Sequence, residues 1–129
     1  MLFYKFNNQR ERRSFGGSFF IEIQYCTLPE STDIKVITSV ESIKNWQNNS
    51  LYVNDENKFF EEYCSILNKG YYNNLKQGII DIYGINYYTK TETENIKKKL
   101  KENKPEDSEA LLNWLEDAEK FNGFYVLGI

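Results

Sequence analysis

Residues 18–25 alternate more cleanly than any other part of the chain. Phe19, Ile21, Ile23 and Tyr25 fall on one side, and Ser18, Phe20, Glu22 and Gln24 on the other. A period of two sends successive side chains to opposite faces of a strand, so this segment predicts a sheet with one face on a core. Leu2, Tyr4 and Phe6 repeat the alternation nearer the start and predict a first strand. The polar residues 7–18 between them carry Arg10-Glu11-Arg12-Arg13 and Gly16-Gly17. They read as a loop, with the glycines admitting the positive φ of a turn. The two strands are expected to pair antiparallel across it.

The pattern then shifts between periods. Residues 27–33 contain Pro29 and several turn formers and read as a loop. Ile34-Lys35-Val36-Ile37-Thr38 is β-branched and reads as a third strand. Ser39 is placed to cap a short helix over 40–47, and Leu51-Tyr52-Val53 forms a short strand or bridge. Asn54 precedes a helical pattern over 55–68, whose apolar face carries Phe59, Phe60, Tyr63, Cys64, Ile66 and Leu67. Gly70 ends it, residues 71–77 read as loop, and Ile79-Ile80-Asp81-Ile82-Tyr83 between two glycines reads as a strand.

Thr89 with Glu92, or Thr91 with Glu94, makes a capping box ahead of a lysine-rich helix with a thin apolar stripe, Ile96 and Leu100. Pro105 suits the first position of a second helix that buries Leu111, Leu112, Trp114, Leu115, Ala118 and Phe121. Asn122-Gly123 matches a left-handed helix stop, and residues 124–129 read as a final strand inserted into the sheet. The sum is one α+β domain over 1–129: an antiparallel or mixed central sheet with three to four helices packed on it.

A chain of 129 residues with 16% aromatics can bury a core without metal or disulfide staples. Cys26 and Cys64 are far apart in sequence and read as a reduced pair in a cytoplasmic protein, ahead of a disulfide. No run of 18 apolar residues is present, and Met1-Leu2-Phe3-Tyr4-Lys5-Phe6-Asn7 lacks the build of a signal peptide. No membrane association is expected. The richness in Asn, Lys, Ile and Tyr suggests an AT-rich coding sequence, as in a low-GC microbe or phage.

Histidine is absent. That removes the commonest general base, the Ser-His-Asp and Cys-His arrangements, and most transition-metal sites. Gly16-Gly17 lacks the lysine and hydroxyl residue of a phosphate loop. Glu22, Glu61, Glu62 and Asp81 could pair as carboxylates, but without a pocket motif such residues are usually solvated. A binder is therefore expected rather than an enzyme, with no catalytic residues, cofactor or metal.

Net charge is −3, where a general nucleic-acid binder is usually basic, so direct nucleic-acid binding is not expected. The charge is unevenly placed. Residues 90–104 hold six lysines and three glutamates, and residues 105–129 six acids and one lysine. Arg10-Glu11-Arg12-Arg13 reads as a solubilising turn before a phosphate contact, and Lys97-Lys98-Lys99 as a solvated helix face. Tyr87-Tyr88 fits two readings equally: an exposed aromatic patch that anchors an interface, or one core ring beside a half-exposed one. The acids Glu106, Asp107, Glu109, Glu116, Asp117 and Glu119 form the best candidate surface. They fit an ordinary solvated helix face; they also fit, together with Glu61 and Glu62, a surface that meets a basic partner.

Gly84-Ile85-Asn86-Tyr87-Tyr88, the capped lysine-rich helix, Lys104-Pro105-Glu106-Asp107, Leu111-Leu112-Asn113-Trp114-Leu115 and Phe121-Asn122-Gly123-Phe124-Tyr125-Val126-Leu127-Gly128-Ile129 together resemble small bacterial immunity proteins of contact-dependent inhibition and polymorphic toxin systems. The likeness covers the last third of the chain. It implies a cytoplasmic, non-enzymatic inhibitor of one cognate toxin domain, a basic nuclease in the leading form, whose active site it covers. A small regulatory or ligand-binding module of bacterial or phage origin is the alternative.

Overall fold

The computed structural model describes residues 1–16, 20–44 and 46–128. Ser18 and Phe19 of the alternating segment lie outside them. Its remainder forms β2 (Ile21–Tyr25), which pairs antiparallel with β3 (Leu51–Val53) on one side and β7 (Phe124–Leu127) on the other. Beyond β7 come β6 (Ile85–Tyr88), β4 (Gly70–Tyr71) and β5 (Gln77–Gly78), and β1 (Phe3–Tyr4) flanks β3. The described sheet has seven strands in the order β1-β3-β2-β7-β6-β4-β5, and every pairing is antiparallel. The closing segment thus lies in the middle of the sheet, as its apolar composition requires.

β1 and β2 do not pair. Phe3 and Ile21 both oppose Val53, so β3 lies between them. Two strands that are each antiparallel to a third run in the same direction, and a tight hairpin cannot join them. The connection is instead α1 (Gln9–Phe15), where a loop is expected. Asn8 Oδ1 accepts the Glu11 N–H at 2.8 Å, and the Glu11 carboxylate returns to Asn7. This reciprocal cap starts the helix, and Gly16 at φ +99° ends it.

Strand alternation sorts the core into two layers. Ile21, Ile23, Tyr25, Leu51, Val53, Tyr88, Phe124 and Val126 join one cluster with Phe59 and Tyr63 of α3 (Glu56–Tyr63), Ile96 and Leu100 of α4 (Lys90–Asn103), and Leu111, Trp114 and Leu115 of α5 (Ser108–Glu116). Ile85, Tyr87, Tyr125 and Leu127 belong to a second cluster with Cys26 and Ile37. That second face continues into Tyr4, Phe6, Phe15, Phe20 and Tyr52, whose rings contact one another. The sheet is therefore covered on both faces, where the alternation predicts one. This explains why Glu22, Gln24 and Asn86, polar positions of strands, are buried.

The α+β class holds, with five α-helices among the described residues where three to four are expected. The extra ones are α1 and α2 (Ile34–Ile37), the β-branched run expected as a strand. Asp33 accepts the Lys35 N–H at 2.8 Å, only Ile37 of α2 is buried, and Val36 stays 49% exposed. A local cap and a single buried anchor outweigh strand propensity, which acts mainly through packing in a sheet. Of the helix expected over 40–47, in which Asn45 lies outside the described residues, a 3-10 turn forms at Val40–Ser42.

Other boundaries also move. α3 is capped by Asp55 rather than Asn54 and ends at Tyr63, so Gly70 opens β4 instead of closing a helix. Residues 71–77 include a hairpin, since Tyr71 pairs with Gln77. Residues 79–83 form turns rather than a strand, and pairing begins at Ile85. Pro105 does not open α5: Asp107 takes a left-handed conformation at φ +58° and Ser108 starts the helix. Thr89 caps α4 as expected, its side chain accepting the Glu92 N–H at 3.1 Å. Gly123 adopts the positive φ, +74°, that its sequence position predicts.

Candidate functional site

The acids singled out by sequence separate into structural and solvent-facing groups. Glu62 Oε1 accepts the Glu106 N–H at 2.7 Å, and the Glu106 carboxylate lies 2.8 Å from Lys58 Nζ. Tyr63 donates its hydroxyl to the Glu106 carbonyl at 2.7 Å. Burial first, then the carboxylates of Asp107, Glu62 and Glu106, push the Tyr63 phenol up, so it remains a donor. Asp107 Oδ2 accepts the N–H groups of Leu2 and Phe3 at 3.0 and 2.9 Å. Glu62, Glu106 and Asp107 thus fasten α3, the start of α5 and β1 to one another.

Glu116 and Glu119 meet Glu94 around a single cation. Lys97 Nζ is 3.4, 3.5 and 3.6 Å from the carboxylates of Glu116, Glu119 and Glu94, and its side chain is 8% exposed. Burial alone would lower the lysine's pKa; the carboxylates outweigh it and hold the pKa above the ordinary value. One ammonium against three carboxylates leaves this corner net negative, and the acids are 52–66% exposed. Asp117 faces solvent beside Lys120 at 3.9 Å, and Glu109 and Glu61 are exposed.

Tyr87 and Tyr88 leave the interface set. They are 2% and 0% exposed. Tyr87 donates to the Asn122 carbonyl at 2.6 Å, and Tyr88 stacks on Phe124 at 4.9 Å. β6 is an interior strand with both faces covered, so consecutive tyrosines enter different layers and neither reaches solvent.

A second polar site lies on the other face of the sheet. Glu22 is 7% exposed and accepts hydrogen bonds from Ser50 Oγ, Gln24 Nε2 and the Gln47 N–H at 2.7, 3.1 and 3.3 Å. Burial raises its pKa and these donors oppose the rise. Beside it the Arg12 guanidinium lies 5.3 to 5.8 Å from the rings of Tyr52, Trp46 and Phe20. The Arg10–Arg13 segment therefore packs Arg12 against its own sheet. Glu92, on α4, is also buried, with Oε1 accepting from Asn95; its place in the first turn suits a carboxylate.

One further surface has no marker in the apolar pattern of the sequence. A groove of about 570 Å³ runs between α3 and the 80–83 turn, lined by Asn57, Phe60, Glu61, Ile80, Asp81, Ile82 and Tyr83. Phe60 is 38% exposed and Tyr83 66%. Treating residues 79–83 as a buried strand hides this groove, because a strand reading sends Tyr83 into the sheet. The signal available in the sequence is Asp81 three residues before Gly84, a turn pair.

Among the described residues no group of three or more His, Cys, Asp or Glu is arranged to hold a metal ion. Cys26 and Cys64 are both free thiols. No described helix is long and apolar enough to cross a membrane. No protein-family model, no curated protein and no solved structure matches this chain.

Proposed function

We propose that this protein is a bacterial immunity protein: a non-enzymatic inhibitor that binds one cognate toxin domain, a basic nuclease in the leading form, and covers its active site. The observation that carries the reading is the net-negative corner where Glu94, Glu116 and Glu119 surround Lys97. Its carboxylates are held in place by a buried cation yet remain in solvent. A surface of this kind complements a cleft built for phosphates and speeds encounter with it. The resemblance of the C-terminal third to immunity proteins supports the same reading. Glu61, Glu109 and Asp117 are exposed and lie outside the Lys97 cluster.

The test is co-production with the toxin domain from the adjoining gene. Growth should be restored when both are made, and the purified pair should co-elute. A competent toxin that kills equally with and without this protein ends the proposal.

A further inference from the structure

Tyr83 is the most exposed aromatic side chain among the described residues, yet the turn that carries it is held by a buried side chain. Asn86, 0% exposed, accepts the Asp81 N–H and donates to the Asp81 carbonyl, both at 2.8 Å, and donates to the Val126 carbonyl at 3.0 Å. The Tyr83 N–H is donated to Asp81 Oδ1 at 3.0 Å. Gly128 closes the turn from the other side. Its N–H is donated to the Gly84 carbonyl at 2.9 Å, and a Cβ there would sit 1.9 Å from the Ile82 carbonyl oxygen. Two motif segments that carry the family resemblance, around Gly84-Ile85-Asn86 and around Leu127-Gly128, meet at this turn.

We infer that the groove between Phe60 and Tyr83 is the anchor point of the interface and takes an arginine or lysine side chain of the protein partner. Three observations converge. The two rings are exposed where most aromatics of the chain are buried, and they offer faces on which a cation packs. Glu61 and Asp81 line the groove, and its lining contains no basic side chain. The turn is held by buried hydrogen bonds before any partner arrives, so little ordering entropy is lost when it is engaged, the condition under which an aromatic becomes a dominant contact. A second copy of this chain fits poorly. A two-fold contact through the groove would set Glu61 and Asp81 against the same carboxylates of the other copy.

This inference rests on the immunity reading and names the contact through which it operates. The probe is the catalytically inactivated toxin domain from the adjoining gene, with binding followed by surface-immobilised kinetics. Tyr83→Ala removes the ring. The near-isosteric pair Glu61→Gln with Asp81→Asn removes the charges, while the side-chain amide introduced by the second change keeps an acceptor for the Tyr83 N–H. Each should weaken binding at least tenfold, mainly through faster dissociation, with an unchanged thermal midpoint. Val40→Ser, at another exposed apolar side chain, should bind like the wild type.

Wild-type binding with both variants within twofold of it overturns the inference and leaves the immunity reading standing. A wild-type protein that neither binds nor neutralises the toxin overturns both. Self-association of the wild type in sedimentation, lost in Tyr83→Ala, overturns the basic partner in favour of a second copy.

Discussion

Asn86 and Asp81 exchange two hydrogen bonds of 2.8 Å, the Asn86 side-chain amide serving as a strand partner for a residue in a turn. Asn86→Leu should destabilise the protein by about 1–3 kcal/mol, because the Asp81 and Val126 groups it satisfies would lose their partners. Urea unfolding measures the loss. Faster amide exchange at Tyr83 in the same variant would show that the turn itself has loosened.

Gly128 and Gly16 separate steric exclusion from backbone strain. A Cβ at Gly128 would meet the Ile82 carbonyl oxygen at 1.9 Å, whereas one at Gly16 meets nothing within 4 Å but must adopt φ +99°. Gly16→Ala should cost about 1–3 kcal/mol, because φ +99° with ψ 171° is a conformation that residues bearing a Cβ rarely adopt. Gly128→Ala should cost about 3 kcal/mol or more, since backbone atoms rather than a flexible side chain have to move. Chemical denaturation of the two variants gives the order directly.

Lys97→Met should leave Glu94, Glu116 and Glu119 facing one another without their shared cation. The carboxylates remain half in water, so the loss is on the order of 1 kcal/mol. Added salt should narrow the gap between variant and wild type by screening the carboxylate repulsion left in the variant. A gap that does not depend on salt would mean that packing of the lysine stem, not its charge, holds this corner.

Glu22 titrates in the sense opposite to a salt-bridged acid. Its folded pKa lies above the ordinary value because burial disfavours the charged form. The folded state therefore binds the proton more tightly than the unfolded chain does. The resulting stability is present in full below the unfolded pKa and is lost as pH rises through the folded pKa. Wild-type protein minus Glu22→Gln should show this decline starting above about pH 4.5 in paired melting curves. A difference that is flat across that window would place the carboxylate in contact with water.

Charge reversal is best placed outside the Lys97 cluster, at acids exposed to solvent. Glu109→Lys with Asp117→Lys should slow association with the toxin domain and flatten its salt dependence, with a smaller change in dissociation. Stopped-flow association rates at several ionic strengths measure both. Equal rates for variant and wild type would remove electrostatic steering from the account.

Local signals marked β2, β3, β7, the Thr89 cap and the Gly123 stop, because each depends on near neighbours: an alternation, a hydroxyl ahead of a helix, a residue free to take positive φ. The pairing of β1 with β3 depends on residues about fifty positions apart, and no local pattern encodes it. Residues 34–37 and 79–83 show the same limit from the other side. Both are short apolar runs, and neither is taken into the sheet. The candidate surface was partly legible for the same reason. Exposed acids such as Glu109 and Glu116 follow from helix position, but the burial of Tyr87 and Tyr88 follows from packing on both faces of β6.

By itself the sequence determined the α+β class, the C-terminal strand and the excess of acids beyond residue 105. These follow from periodicity, capping chemistry and composition, all short-range properties. The tertiary structure alone decided which acids are internal fasteners, which surround Lys97, and that Tyr83 is displayed on a turn held by Asn86 and Gly128. Those outcomes depend on which distant segments meet. Burial and hydrogen-bond partners, unlike propensities, exist only once the chain has closed on itself.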